Sequence, residues 1–277
     1  MCNNSFLYLI TASFYLTSSS QNKNYQEETM KKNLFASALL VIGFQANATI
    51  VEMQTNQGTV TVNLYDQHAP VTVANFLEYV SDGSYDGSII HRSVDNFVVQ
   101  GGGFSFETDF TAIDKKAAIS NEPVLSNVKG TIAMAKQSGN ANSATSQWFF
   151  NLKDNSANLD VQNGGFTVFG EITQESFDVL TKITDLVHCG EIPVVGLSKD
   201  QCPETTAGFN GENLVTINSV VVIDENPDSS AGLSPVENTL IDSDDNKGGD
   251  SGSSSGSMAW LMSILAASVL YRRKFIQ

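Results

Sequence analysis

Arg92 is the only arginine between positions 49 and 257, where eight lysines carry the rest of the basic charge. A chain that uses lysine for solubility and arginine once needs the planar five-donor fork at that point. Phe97, Val98 and Gln100 follow within nine residues of it. On two short strands and their turn, they would set one guanidinium beside apolar surface and one amide. That combination suits a neutral, partly apolar ligand bearing carbonyl oxygens.

The other reactive side chains assemble into no catalytic set. His91 precedes Arg92, and strand alternation aims it at the opposite face, where a packed, hydrogen-bonded core histidine is expected. His68 falls in a turn before a helix, and His188 adjoins Cys189. No Ser-His-Asp or Cys-His arrangement has motif support. Gly101-Gly102-Gly103 is followed by no Lys-Ser/Thr and fits no dinucleotide fingerprint. Cys189 and Cys202 lie 13 positions apart in a loop-like stretch with Pro193 and Pro203. Without a C-x-x-C pair a metal site is not expected, and without a basic neighbour neither is an activated thiol. A Cys189–Cys202 disulfide in an oxidising compartment is the simple reading.

The elements that must position Arg92 are short. Thr49–Thr55 and Thr59–Leu64 alternate and read as a hairpin around Asn56-Gln57-Gly58. Pro70 opens a helix with apolar Val73, Phe76, Leu77 and Val80, which ends at Asp82-Gly83. Strands are expected at Ser88–Arg92, Phe97–Gln100, Thr131–Ala135, Gln147–Leu152 and Thr167–Ile172. A second helix follows near Glu175–Val187, then a last strand at Leu214–Ile223. Many short strands with two helices predict a mainly β fold: a closed antiparallel β-barrel whose open ends the helices plug.

Both ends of the chain differ from this middle. Lys31-Lys32, the apolar run Leu34–Phe44 and Ala46-Asn47-Ala48 have the three parts of a secretory signal, with cleavage after Ala48. Residues 1–48 are thus an N-terminal extension plus signal peptide (30–48), and translation starts at Met1 or at Met30. Residues 226–257 are rich in Asp, Ser and Gly and read as a flexible linker. Residues 258–277 hold a 14-residue apolar run, Met258–Tyr271, and a basic end, Arg272-Arg273-Lys274. The run is short of the ~20 residues a spanning helix needs. The segment resembles the Gly-Gly C-terminal sorting signals of some Gram-negative bacteria, which a rhomboid-like protease removes. A plain membrane anchor is the other reading. Between 49 and 257, nine Lys and Arg stand against 28 Asp and Glu, a formal charge of −19. Such a surface repels nucleic acid and anionic membranes. The expected location is the periplasm, surface or medium of a Gram-negative-type bacterium, with membrane contact only through an uncleaved C-terminus.

Several blocks then carry a family resemblance. Ile90-His91-Arg92 with Phe97 and Gln100-Gly101-Gly102 resembles the F-H-R-x-x-x-x-F-x-x-Q-G-G block of cyclophilins. Gly130–Ala135 is similar to the next strand of that family, and Ser143–Phe150 to its S-x-x-S-Q-F-F-I block. Asn158-Leu159-Asp160 and Phe166–Gly170 match the blocks after these. The resemblance spans Thr49 to Ile223 and gives an isomerase domain at 49–225. It implies an eight-stranded antiparallel barrel capped by two α-helices and cofactor-free, non-covalent peptidyl-prolyl cis/trans isomerisation by a monomer.

By that resemblance Arg92 falls on the catalytic arginine. Phe97, Phe149 and Leu159 fall on the proline pocket, with Val98 where methionine is common. Gln100 and Gln147 fall on flanking polar groups, and Ala135 on the groove wall. Lys136 replaces a frequent asparagine whose backbone binds peptide, and Phe166 stands where many members carry histidine. Asn158 replaces a large ring, which puts tight cyclosporin binding in question. The implied substrates are proline-containing polypeptides whose folding the enzyme assists. Such catalysis needs neither nucleophile nor metal. The barrier of ~18–20 kcal/mol is lost amide resonance, and a fork donating to the twisted prolyl nitrogen favours only the transition state. A non-catalytic proline-peptide-binding chaperone on the same scaffold, or a surface-displayed carrier, are the competing readings.

Overall fold

A computed structural model describes residues 49–224 and 233–241. The expected signal peptide and N-terminal extension, the rest of the expected linker and the apolar C-terminal segment lie outside the described residues. β1 (Ile50–Thr55) and β2 (Gly58–Leu64) pair in the expected hairpin, from Ile50 opposite Asn63 to Thr55 opposite Gly58. Val51 and Met53, with Val60, Val62 and Leu64, are buried, as period-two alternation requires.

Eleven strands form one curled sheet in a mainly β fold. After the first two come β3 (Ser88–Ile89), β4 (Arg92–Val94), β5 (Val98–Gly101), β6 (Phe104–Phe106), β7 (Phe110–Ala112), β8 (Thr131–Met134), β9 (Trp148–Asn151) and β10 (Val168–Ile172). A separate hairpin, β11 (Val187–Cys189) and β12 (Ile192–Val194), precedes β13 (Thr216–Asp224). The sheet order is β4-β5-β9-β8-β10-β2-β1-β13-β3-β6-β7. The single strand expected over Ser88–Arg92 breaks at Ile90-His91. There the Ile90 amide turns to the Val215 carbonyl and the His91 amide to Gln100.

Both helices cover the same apolar cluster. α1 (Pro70–Ser81) starts on proline, and its free amides at Val71 and Thr72 donate to the Glu122 carboxylate at 3.2 and 2.8 Å. This cap comes from fifty residues away, and negative charge at a helix N-terminus is favourable. Between the two lies a single turn, α2 (Ser156–Leu159). α3 (Gln174–Thr184) is capped by Thr173, whose hydroxyl accepts from the Ser176 amide. Val73 and Phe76 of α1 and Val179, Leu180 and Ile183 of α3 join Trp148, Phe150 and Phe169 in the main core. α3 stops three residues before the expected end, because Val187 is drawn into β11.

Two pairs of strands were hidden in stretches that read as turns. β6 and β7 carry Phe104, Phe106 and Phe110, which pack with Phe209, Leu214 and Cys189 in a separate cluster. Gly101 and Gly102 look like turn residues but serve packing: a Cβ on Gly101 would sit 2.7 Å from the Trp148 ring, and Gly102 adopts φ +71°. Residues 233–241, within the stretch whose composition reads as linker, also pack on the domain. The Ser126 amide donates to Val236, the Asn238 amide to Val124, and the Asn238 side chain reaches Pro123 and Asp160 carbonyls.

Candidate functional site

Register across three strands builds the site. Arg92 of β4 lies opposite Gln100 of β5, and Gln100 opposite Phe149 of β9. Directly opposed residues share a face of the sheet, so guanidinium, amide and ring stand in a row. Val98, two residues from Gln100, shares that face. The β4–β5 turn runs through Asp95 and Asn96, with Asn96 at φ 51°. This left-handed residue suits a short hairpin loop and lets the Phe97 amide bond back to Val94 at 3.1 Å. Phe97 thereby comes under Arg92, whose guanidinium carbon lies 5.9 Å from the ring centre.

The apolar wall comes from a turn of three left-handed residues, Asn163, Gly164 and Gly165, with φ of 53°, 74° and 72°. A Cβ at Gly165 would meet the Asp160 carbonyl oxygen at 2.6 Å. After this turn the Phe166 amide donates to Leu159 at 2.8 Å, which sets the two side chains together. Phe166 meets Phe149 edge-on at 5.7 Å. Beneath them is a buried polar network. The Asp160 carboxylate accepts from Ser126 and from the backbone and side chain of Asn127. The Asn127 side chain also donates to the Phe166 carbonyl at 3.0 Å. Burying charge without such partners would be costly.

Arg92, Phe97, Val98, Gln100, Phe149, Leu159 and Phe166 line a single cleft of about 280 Å³. Ala135, Lys136 and Gln147 line it too, so it gathers every residue that the sequence nominated for catalysis or substrate binding. Four further lining residues, Lys115, Gln137, Ser143 and Thr145, were not nominated. They sit on loops whose polar composition gives no periodic signal. Asn158 is exposed on α2 and does not line the cleft.

A polar relay crosses the cleft. Gln100 donates to Gln147 at 2.9 Å, and an Arg92 Nη1 contact of 3.4 Å reaches the Gln100 oxygen. Arg92 Nε donates to Glu191 at 2.7 Å. Lys136 is turned aside: its ammonium donates to the Asn163 and Gly165 carbonyls and lies 4.9 Å from the Phe166 ring centre. Burial pulls its pKa down to about 8. His91 is partly buried, edge-on to Phe104 at 5.1 Å. Desolvation, ahead of its other interactions, pushes its pKa down to about 4, so it is neutral near pH 7. It does not line the cleft. Cys189 and Cys202 are joined in a disulfide with Cα atoms 5.3 Å apart.

This site can hold an apolar ring against Phe149, Phe166 and Leu159 and present a fixed cationic fork to what adjoins it. Comparison with known proteins gives the same direction. The family model described as cyclophilin type peptidyl-prolyl cis-trans isomerase/CLD matches residues 50–198. A peptidyl-prolyl cis-trans isomerase of Acinetobacter baylyi is 41% identical over 151 residues, which are 53% of this chain and 78% of that protein. Peptidyl-prolyl cis-trans isomerase A of Dickeya dadantii is 37% identical over 167 residues, 57% of this chain and 86% of the relative. Peptidyl-prolyl cis-trans isomerase B of Escherichia coli is 38% identical over 140 residues, 48% and 83% of the two chains.

Proposed function

The chain belongs to the cyclophilin family of peptidyl-prolyl cis/trans isomerases, and we propose that it accelerates X-Pro isomerisation in exported polypeptides with Arg92 as its catalytic group. The observation that carries this reading is the row Arg92, Gln100 and Phe149 on three adjacent strands. The proline ring would enter the apolar corner made by Phe149, Phe166, Leu159 and Val98. Gln100 and Gln147, linked to each other, would meet the flanking peptide groups. Twisting the X-Pro bond localises the nitrogen lone pair, and a preorganised guanidinium N–H then gains an acceptor that the planar amide lacks. Such a donor acts on the transition state and not on the ground state.

The finer features follow from the same observations. We read the sheet as a closed barrel of eight strands. Its support is that β3 and β4, at opposite ends of a run of the sheet, are joined through Ile90 and His91 alone, whose amides bond to β13's neighbour Val215 and to β5. Export is supported by the disulfide, since such bonds persist in oxidising compartments, and by the charged, apolar and small-residue parts of positions 30–48. Assistance to folding outside the cytoplasm, action as a monomer, and a C-terminus that is either cut or retained as an anchor belong to the same reading.

The test is an exchange-NMR assay of an X-Pro tetrapeptide with the purified protein. Catalytic amounts should collapse the separate cis and trans signals. A protein that binds the peptide and leaves exchange at its uncatalysed pace would be a peptide-binding module.

A further inference from the structure

The loop that carries the disulfide also reaches Arg92. β11 and β12 pair with Cys189 opposite Ile192, so Gly190 and Glu191 form a two-residue turn. Gly190 has φ +68° and nothing within 4 Å of where a Cβ would be. Glycine is thus needed there for conformation and not for space, as in hairpins with glycine first in the loop. The turn places Glu191 against β4 twice. Its carbonyl accepts from the Ser93 amide at 2.7 Å, and its carboxylate accepts from Arg92 Nε at 2.7 Å. The Arg92 side chain is 14% exposed, while that of Glu191 is 37% exposed. The hairpin cannot drift as a free loop would. Cys189 is tied to Cys202, Val194 bridges to Leu214, and Val195 donates to the Asn213 carbonyl.

We infer that Glu191 is a positioning residue for Arg92: it holds the Nε edge of the fork so that the Nη edge faces the substrate nitrogen. The inference rests on Arg92 being the catalytic group. An unanchored arginine on a strand samples many rotamers, and few of them aim the fork at one atom. Gln100 alone is a weak anchor, since its contact with Nη1 is 3.4 Å long. Glu191 supplies a charge-assisted bond to the one nitrogen not needed at the cleft. Glu191 does not line the cleft in which the substrate would sit. Its loss should therefore change turnover and leave binding alone.

The experiment measures kcat and KM for an X-Pro peptide in the wild type, Glu191→Ala, Glu191→Gln, Arg92→Ala and the double variant Arg92→Ala/Glu191→Ala, and follows the Arg92 Nε–H resonance in the three proteins that keep Arg92. Glu191→Ala is expected to lower kcat on the order of tenfold, since small misplacements of a reacting group are costly. KM should hold, and the Nε–H signal should shift and exchange faster with solvent. Glu191→Gln keeps an oxygen acceptor and should recover most of the rate and the signal. In the Arg92→Ala background, removing Glu191 should cost nothing more. A wild-type kcat in Glu191→Ala beside an inactive Arg92→Ala overturns the positioning role and leaves the catalytic reading intact. An active Arg92→Ala overturns both. A rise in KM equal to the loss in rate, without rescue by glutamine, would make Glu191 merely structural.

Discussion

At the scale of single residues, Arg92 and His91 are neighbours with opposite environments. Arg92, the first residue of β4, lines the cleft, while His91, at the break before β4, is partly buried with its ring edge-on to Phe104. Arg92 was legible because arginine is otherwise missing from positions 49–257 and because Gln100 and the glycines follow at a fixed spacing. Glu191 was not, since its contact spans 99 positions and depends on a hairpin inside a cysteine-bearing loop. Asp160 was seen as part of a motif, but its task of holding Asn127 and the Phe166 segment exists only in three dimensions. His91 carries a pH prediction. Its pKa falls from 6.5 to about 4 on folding, so between these values the unfolded chain binds a proton that the folded chain does not. The stability it contributes is complete above pH 6.5 and is lost as the pH falls toward 4, by up to roughly 3 kcal/mol. Urea unfolding at pH 7 and pH 4.5 should show a smaller loss for His91→Phe than for the wild type. An equal loss in both would assign the acid sensitivity to other groups.

At the scale of elements, the first hairpin was readable from its alternation, the strands flanking the cleft as short runs between glycine-rich turns, and the helices from their apolar spacing. What escaped was short and local. β6 and β7 are three residues each, and β11 and β12 likewise, too short for period two to stand out. Asn238, in a stretch of linker-like composition, docks by donating to two carbonyls, and a polar contact of that kind leaves no hydrophobic signature. The β11–β12 hairpin is where stability and catalysis meet. Closing the Cys189–Cys202 loop contributes about 3 kcal/mol in the chain-entropy model, less if the reduced loop stays ordered. Cys189→Ser/Cys202→Ser should therefore lower the unfolding free energy by about that much. It should also reduce kcat in native buffer, where the protein is still folded, because Glu191 is two residues from Cys189. Unchanged turnover in this variant would mean that the Ser93 and Leu214 contacts suffice to hold the turn.

At the scale of the whole molecule, the acidic surface and the site are separate matters. The formal charge between 49 and 257 is −19, while the cleft lining includes Arg92, Lys115 and Lys136 and, among the described residues, no acidic one. The proposed cleavage after Ala48 can be tested at the residue that would follow it. Thr49 is buried, and its nitrogen and hydroxyl both donate to the Asp66 carboxylate, at 2.9 and 3.0 Å. Cleavage after Ala48 would turn that nitrogen into an ammonium facing a carboxylate. Sequencing of the exported protein should begin at Thr49. Asp66→Asn should then destabilise the processed chain by about 1–2 kcal/mol, and the uncleaved chain by less, because hydrogen bonds to charged groups are the stronger ones. Equal effects on both forms would argue for a different processing point.

The central claim is that Arg92 stabilises the twisted X-Pro bond. Uncatalysed isomerisation takes ~10–100 s, and losing one preorganised transition-state donor costs roughly 10²–10³ in rate. The most direct measurement is the isomerisation rate of an X-Pro tetrapeptide with wild type, Arg92→Ala and Arg92→Lys, with peptide binding followed separately by NMR line shape. Arg92→Ala should lose a factor in that range while its peptide affinity changes little. Arg92→Lys should recover only part, because a point charge lacks the planar fork. Wild-type turnover in Arg92→Ala would contradict the account.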